Sequence, residues 1–393
     1  MTALVTIGAP KRPGRVDRPV TTTPEIVELL AANSPCAIGV SGGKDSCALA
    51  LATVAYLDAI GHTGPRLLIH SDLGRTEWRE SLPVCERLAA VLGLELVVVR
   101  RNAGDMMDRW LVRQSNNVER YADLSCVKLI LPWSTPGMRF CTSELKTAVI
   151  CRELVRRFPG QTIISACGIR RDESPKRKLA PVAKHQAKLT SRPRKTSGID
   201  WHPVIDWTLA DVFAYLADQQ FALHEAYTKF GMSRVSCVYC IMSKEDDLVA
   251  STTCPDNHDT YREMVGLEIT STFAFQGGKW LGDIAPHLLD DATRAALVEA
   301  KVRAARRIRA EERIPAHLLY EKGWPKVMPT WAEAVLLCEV RREVADAVGL
   351  TVEYLTPEEV IKRYADLMAL NVLREAAKAK KTRRDDNQDE ELS

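Results

Sequence analysis

The segment Ser41-Gly42-Gly43-Lys44-Asp45-Ser46 is where the residue types and their spacing could do chemistry. It follows a short apolar run, Pro35-Cys36-Ala37-Ile38-Gly39-Val40, and leads at once into a stretch of helical composition at 45–60. A strand turning sharply into a helix aims the helix's first N–H groups, and the positive end of its dipole, into the turn. A phosphate group fits there. Gly42 and Gly43 bring no side chain to block the approach of an anion, Ser41 and Ser46 add hydroxyl donors, and Lys44 adds a point charge. Asp45 is out of place in a purely anion-binding loop and suits a metal ion that accompanies the phosphate. The spacing differs from the Walker A pattern G-x-x-x-x-G-K-[ST]. Substitutions in such a ligand loop are expected to leave stability within about 1 kcal/mol.

A second set of reactive residues is made of cysteines. Cys237-Val238-Tyr239-Cys240 has C-x-x-C spacing, Cys141 lies far upstream in Arg139-Phe140-Cys141-Thr142-Ser143-Glu144-Leu145-Lys146, and Cys254 follows downstream. Two thiolates at this spacing can bind one metal, and two more complete the ligands of an iron–sulfur centre. The same pair can be a redox dithiol, a persulfide relay or ordinary buried thiols. Cys36, Cys47, Cys85, Cys151 and Cys167 sit in apolar stretches and read as core; Cys126 and Cys338 have no evident place. Arg170 and Arg171, after an apolar run, could grip phosphate through their guanidinium groups.

The elements that must position these residues alternate in type. A helix opens at Thr23-Pro24-Glu25, with a Thr N-cap and proline at the first helical position. Strands are expected at 35–40, 67–70, 95–99 and 162–166, with helices at 45–60 and 76–92 between the first three. Short apolar strands alternating with helices predict an α/β fold with a mostly parallel, doubly wound sheet. From Arg170 to Lys195 ten residues are Lys or Arg and three are Pro, without periodicity, so this segment reads as a mobile basic loop able to close over a nucleotide. A capping-box pattern at Thr208 to Asp211 opens another helix, and beyond about 285 the chain reads as helical, with further N-cap patterns at Thr330 and Thr356. The expected organisation is a mobile arm over 1–20, a catalytic domain over 21–250, a mainly helical region over 251–375 and a disordered tail over 376–393.

With 393 residues, 46% hydrophobic and 27% charged, the chain can bury a large core. The net charge of +3 means that nucleic-acid binding must come from a local patch. No run approaches the roughly 20 apolar residues of a membrane span, and the N-terminus lacks a signal-peptide core. Eleven scattered cysteines argue against a disulfide framework and for a reducing, cytoplasmic setting without membrane partners.

Ser41 to Ser46 resembles the SGGxDS motif of PP-loop ATP pyrophosphatases, whose fold is adenine-nucleotide alpha hydrolase-like and which cleave ATP between its α- and β-phosphates. His70-Ser71-Asp72-Leu73-Gly74 with Thr76-Glu77, Gly168-Ile169-Arg170-Arg171-Asp172-Glu173-Ser174, and His202 to Trp207 followed by Asp211-Val212-Phe213 are similar to segments of the phosphoadenylyl-sulfate (PAPS) reductase branch. The resemblance implies ATP and Mg²⁺ as cofactors. It implies nucleotide contacts at Ser41, Gly42, Gly43, Lys44, Asp45, Ser46, Asp72, Gly168 and Arg170, with Lys44, Asp45, Arg170 and Arg171 catalytic. Two departures stand out: Cys141-Thr142 replaces the Cys-Cys pair of cluster-containing reductases, and no E-C-G-[IL]-H segment supplies their C-terminal nucleophile. The R-x-C-T-x-x-L-K string at 139–146 and G-x-x-R-x-x-C-x-x-C at 231–240 look more like the DndC and SspD pyrophosphatases of bacterial DNA phosphorothioate modification. That likeness implies a cysteine desulfurase as sulfur donor, sister phosphorothioation proteins, and DNA met directly or through them. It also implies Cys141, Cys237, Cys240 and Cys254 as ligands of a 4Fe-4S cluster, with a persulfide as the alternative carrier. A sulfonucleotide reductase and an ATP-binding scaffold without turnover are the rival readings.

Overall fold

The computed structural model describes residues 18–390, the side chains of 378–390 excepted, so the expected arm over 1–20 falls almost wholly outside the described residues. Six strands make one sheet: β1 Cys36–Val40, β2 Arg66–Asp72, β3 Glu95–Arg100, β4 Thr162–Ala166, β5 Ala183–His185 and β6 Ser197–Trp201. Their order is β3-β2-β1-β4-β6-β5, and every neighbouring pair is parallel except β5 with β6. The pleat sends alternate residues to opposite faces. Cys36, Ile38 and Val40 of β1, with Leu68, Ile164 and Ile199, pack in a core with helices Pro24–Ala31, Lys44–Ala59, Ser81–Leu92 and Leu209–Asp218. Ala37, Leu67, Ile69, Val97 and Ile163 pack in a second core with Cys151 and Leu154 of the helix Ala148–Arg157. The sheet is therefore covered on both faces, as the alternation of elements predicts.

The central helix Lys44–Ala59 is buried nearly all round, from Cys47 through Val54. Small residues at Ala48, Ala50 and Ala52 let neighbours close in, and burying its Leu49 and Leu57 contributes on the order of 2 kcal/mol each. β1 lies between β2 and β4, so the chain leaves it one way for β2 and reaches β4 only after a long excursion. That is a topological switch point, where open α/β sheets place their ligands at the carboxyl ends of the strands.

The basic segment 170–195 differs from its expectation. It carries the short helix Pro175–Lys178 and the strand β5, which pairs antiparallel with β6 from Ala183↔Trp201 to His185↔Ile199. Two backbone bonds extend the pairing, His202 N–H to Val182 C=O at 2.8 Å and Gln186 N–H to Gly198 C=O at 2.9 Å. Leu189 is buried against Gly198, where an added Cβ would stand 2.4 Å from the leucine methyl. One buried leucine and a sheet edge thus order a stretch whose composition signals a loop. β6 itself escapes prediction because Gly198 and Asp200 interrupt its apolar pattern.

The chain divides into two compact units, Met1–Met107 with Ser134–Thr260, and Asp108–Trp133 with Tyr261–Ser393. The stretch Asp108–Trp133 therefore belongs with the C-terminal helices and not with the 21–250 span expected for the catalytic domain. Within that second unit, Tyr121, Leu124, Val127 and Leu129 share a core with Ala310, Leu337, Val344 and Tyr364. The helices Asp291–Glu311, Trp331–Val348 and Pro357–Glu390 build it. Thr330 and Glu333 form the expected capping box. The last helix continues to Glu390 where the sequence predicts disorder from 376; its Ala, Lys, Arg and Glu are strong helix formers. Among the described residues no helix is long and apolar enough to cross a membrane.

Two buried arginines tie the segment 108–133 down. Arg307 pairs with Glu311 at 2.8 Å, and Glu311 also accepts the Leu129 N–H at 2.9 Å. Arg341 is fully buried and donates to the carbonyls of Tyr121 at 2.8 Å, Ala122 at 3.0 Å and Glu353 at 2.6 Å. Arg341→Met would leave three carbonyls without that donor and should lower stability by about 3 kcal/mol. Arg341→Lys, which lacks the guanidinium fork, should recover only part of it. Urea unfolding followed by circular dichroism reads both; a loss under about 1 kcal/mol for the methionine variant would show the contacts to be dispensable.

Candidate functional site

β1 ends at Val40, and the helix Lys44–Ala59 starts four residues later with Gly43 as its N-cap. Gly42 takes φ +73°, a conformation that favours glycine, and a Cβ there would meet the Ser81 carbonyl at 2.8 Å. Ser46 braces the loop from within: its hydroxyl donates to Gly43 C=O at 2.8 Å and accepts the Ser41 N–H at 3.1 Å. The Gly42 and Gly43 amides have no protein partner among the described residues and are available to an anion. Gly168, after β4, lies so close to the loop that a Cβ would stand 3.2 Å from the Asp45 carbonyl.

Asp45 is the hub of the charges here. One carboxylate oxygen accepts from Lys44 Nζ at 3.1 Å and the other from Arg170 Nε at 2.7 Å. Both cations are buried, and Arg170 also reaches Asp172 at 3.0 Å. The Lys44 ammonium lies over the rings of Phe213 and Tyr227, 5.9 and 5.4 Å from their centroids. Arg171, adjacent to Arg170 in sequence, turns elsewhere, to Asp206 and the Ala180 carbonyl. Asp72 closes the turn after β2 by accepting the Gly74 N–H at 2.7 Å, and it pairs with Arg100.

The structure adds three arginines that the sequence does not assign to the nucleotide site. Arg177 is depressed below the ordinary arginine range, first by burial and then by the nearby cations Arg234, Arg139 and Arg170, with Asp45 opposing. Arg139 precedes Cys141 and Arg234 precedes Cys237, so each cysteine segment brings an arginine toward the phosphate loop. Such a gathering of like charge suits a polyanionic ligand.

The cysteine pair is fastened to the same place. The Tyr227 hydroxyl accepts the Lys44 N–H at 3.2 Å and the Val235 N–H at 3.1 Å, joining the phosphate loop to the segment that leads into Cys237. Burial pushes the Tyr227 pKa up to about 12, so the phenol stays neutral at ordinary pH. The Val238 N–H donates to Thr76 C=O at 2.8 Å. Cys237 is half-buried, and its thiol is pushed up to about 12, chiefly by burial and then by Cys240; Lys146 opposes and Cys141 adds to the rise. Cys141, Cys237 and Cys240 thus share one neighbourhood. Cys254 is buried beside Asp256 and Glu225 instead. Among the described residues no group of three or more His, Cys, Asp or Glu side chains stands in metal-holding geometry. Cys36, Cys47, Cys85 and Cys151 are core residues as expected, Cys167 is half-buried at the end of β4, and Cys126 and Cys338 lie in the C-terminal core.

The model of the phosphoadenosine phosphosulfate reductase domain matches residues 35–243, more than half of the chain. No curated protein matches. Among solved structures, similarity reaches the phosphoadenylyl-sulfate reductase of Candida auris in its phosphate complex, at 13% identity and TM-score 0.33 over 54% of this chain and 86% of that one. It also reaches the U34-tRNA thiolase NcsA of Methanococcus maripaludis with its 4Fe-4S cluster, at 14% identity and TM-score 0.28 over 62% and 74%. The NH3-dependent NAD synthetase of Campylobacter jejuni subsp. jejuni in complex with nitrate follows, at 13% identity and TM-score 0.27 over 74% and 90%.

His70, one strand over, is the remaining charged group of the site. It is buried, with Nδ1 3.0 Å from the Val40 carbonyl and Nε2 3.1 Å from Glu77. Nδ1 is in hydrogen-bond range of a carbonyl, and the Glu77 carboxylate near Nε2 favours the charged ring by its proximity. Burial works against the charge, but Cys85 and Glu77 outweigh it and hold the pKa at about 10. The folded value lies above the unfolded one near 6.5. The pair's stabilisation is therefore complete below about pH 6.5 and is lost as pH rises toward about 10. In a side-chain NMR titration His70 should remain protonated at pH 8 and lose that protonation in Glu77→Gln; a midpoint near 6.5 in the wild-type chain would contradict the charged pair.

Proposed function

Because the chain belongs to the phosphoadenosine phosphosulfate reductase domain family, with a matched span that holds both the phosphate loop and the cysteine pair, we propose that it cleaves ATP to AMP and pyrophosphate to activate a substrate for sulfur transfer, in DNA backbone phosphorothioation. The observation that carries this reading is the Tyr227 hydroxyl, which bonds the first amide of the phosphate-loop helix and the segment entering Cys237 at once. Activation and sulfur delivery need that proximity.

The β- and γ-phosphates would lie on the Gly42 and Gly43 amides, with Lys44 and Arg170 balancing their charge. An acceptor oxygen, here a non-bridging oxygen of a phosphodiester, attacks the α-phosphorus. The bond to pyrophosphate breaks, and the acceptor becomes linked to AMP. A sulfur nucleophile then attacks the acceptor phosphorus and expels AMP, which leaves far more readily than an oxide. Arg139 and Arg234 suit the acceptor's negative charge. Asp45 is the residue that would hold Mg²⁺: each of its oxygens keeps a lone pair beyond its bond to Lys44 or Arg170, and one carboxylate with substrate phosphates is a usual Mg²⁺ set. The ion supplies charge neutralisation on the departing pyrophosphate.

No group of three or more His, Cys, Asp or Glu side chains among the described residues is arranged to hold a metal ion, which does not favour a cluster on Cys141, Cys237, Cys240 and Cys254. The reading therefore gives sulfur to a persulfide on the C-x-x-C pair. Its terminal sulfur goes to the acceptor, and the partner cysteine closes a disulfide that a cellular dithiol reduces. A cysteine desulfurase would load the persulfide in the cytoplasm, and sister modification proteins would present the DNA. A sulfonucleotide reductase is less well supported: Cys338 is buried within the helix Trp331–Val348, not offered as a C-terminal nucleophile.

Ser41→Ala should lower pyrophosphate release by about 100-fold with stability changed by less than about 1 kcal/mol. Asp45→Ala is a different case from the near-neutral loop substitution that the sequence suggests. It strands two buried cations and should cost about 3 kcal/mol as well as activity. Pyrophosphate release undiminished in Ser41→Ala and in Asp45→Asn would refute the assignment.

A further inference from the structure

The later part of the basic segment, from Lys188 to Arg194, forms one wall of a groove. Its residues Lys188, Thr190, Ser191 and Arg194 face Arg152 and Arg156 of the helix Ala148–Arg157 across a volume of about 530 Å³. No acidic residue lines it. Arg156 is half-committed, since Glu153 takes it in two bonds of 2.9 and 2.7 Å. Arg152 and Arg194 are exposed and make no ion pair among the described residues. Lys188 marks the end toward the thiols: its ammonium donates to the Ser143 carbonyl at 2.7 Å, two residues beyond Cys141.

We propose that this groove is a track for the phosphodiester backbone of a nucleic acid, leading it toward Cys141 and the arginines of the phosphate loop. The proposal rests on the phosphorothioation reading above and supplies its missing substrate surface. Three features favour a phosphodiester over an acidic protein. The cationic wall is rich in arginine, whose fork matches phosphate. Hydroxyls of Thr190 and Ser191 sit between the charges and can donate to phosphate or sugar oxygens. No aromatic or large exposed apolar side chain lines the groove, whereas protein interfaces centre on such anchors. The net charge of +3 makes this concentration local and not a by-product of a basic chain.

Fluorescence anisotropy of the full chain with a short labelled DNA duplex, across a salt series, tests the track. In Arg152→Ala/Arg194→Ala the Kd should rise about tenfold, and the slope of log K against log salt should become shallower by about two. At duplex concentrations well above both Kd values ATP-dependent pyrophosphate release should be unchanged, because neither arginine belongs to the nucleotide site. At limiting duplex it should fall with the binding. Wild-type Kd and slope in a folded double variant would overturn the track while leaving pyrophosphate release to judge the enzymatic reading separately. Equal affinity and slope for poly-glutamate would overturn it in favour of an acidic protein partner. A structured RNA hairpin bound more tightly than the duplex, through the same two arginines, would sustain the track and count against DNA as the substrate.

Discussion

A single phenol hydroxyl, that of Tyr227, holds the two reactive halves of the site in register. It accepts one amide from the phosphate-loop helix and another from the chain two residues before Cys237. Its ring lies under the Lys44 ammonium, so the same residue also fixes the charge that the loop presents. Because burial keeps the phenol neutral, it holds both amides without adding a negative charge beside the Gly42-Gly43 turn. The Val238 bond to Thr76 repeats the logic from the turn that follows β2. Loop, strand end and cysteine pair thus form one rigid frame.

Around that frame, buried charge is arranged in neutral groups. Asp45 and Asp172 serve Lys44 and Arg170, Glu77 serves His70, and in the other unit Glu311 serves Arg307. Such groups contribute little net stability when complete and cost much when one member is removed. Their value is positional: a carboxylate held between two cations cannot drift, and neither cation can leave to follow a ligand. Arg139 and Arg234 differ: they are exposed and lie near Arg177, which is itself paired with Glu173.

Much of this was legible in the residues. The run from Pro35 to Ser46 indicates strand, turn, helix and phosphate site together, since each demands the same small and apolar residues in order. Four strands and the capping boxes at Thr208 and Thr330 follow from local pattern alone. β5 and β6 do not, because Ala183-Lys184-His185 has no strand signature and becomes a strand only where β6 offers it an edge. Gly168 and Arg170 are found by resemblance, but the turning away of Arg171 depends on where Asp206 lies in space. Arg139, Arg177 and Arg234 come from separate segments, and a linear reading has no rule for bringing them together.

The membership of Asp108–Trp133 in the C-terminal unit has a bearing on how the chain is made. As synthesis proceeds, Tyr121, Leu124, Val127 and Leu129 emerge long before Leu337, Val344 and Tyr364, the residues that cover them. Until then a strip of apolar surface must wait, open to whatever binds exposed hydrophobic chain. The same holds for any fragment cut near residue 250 to isolate the catalytic portion. It would keep this strip and lose its cover, making a sticky protein of what looks, by motif boundaries, like a self-contained domain.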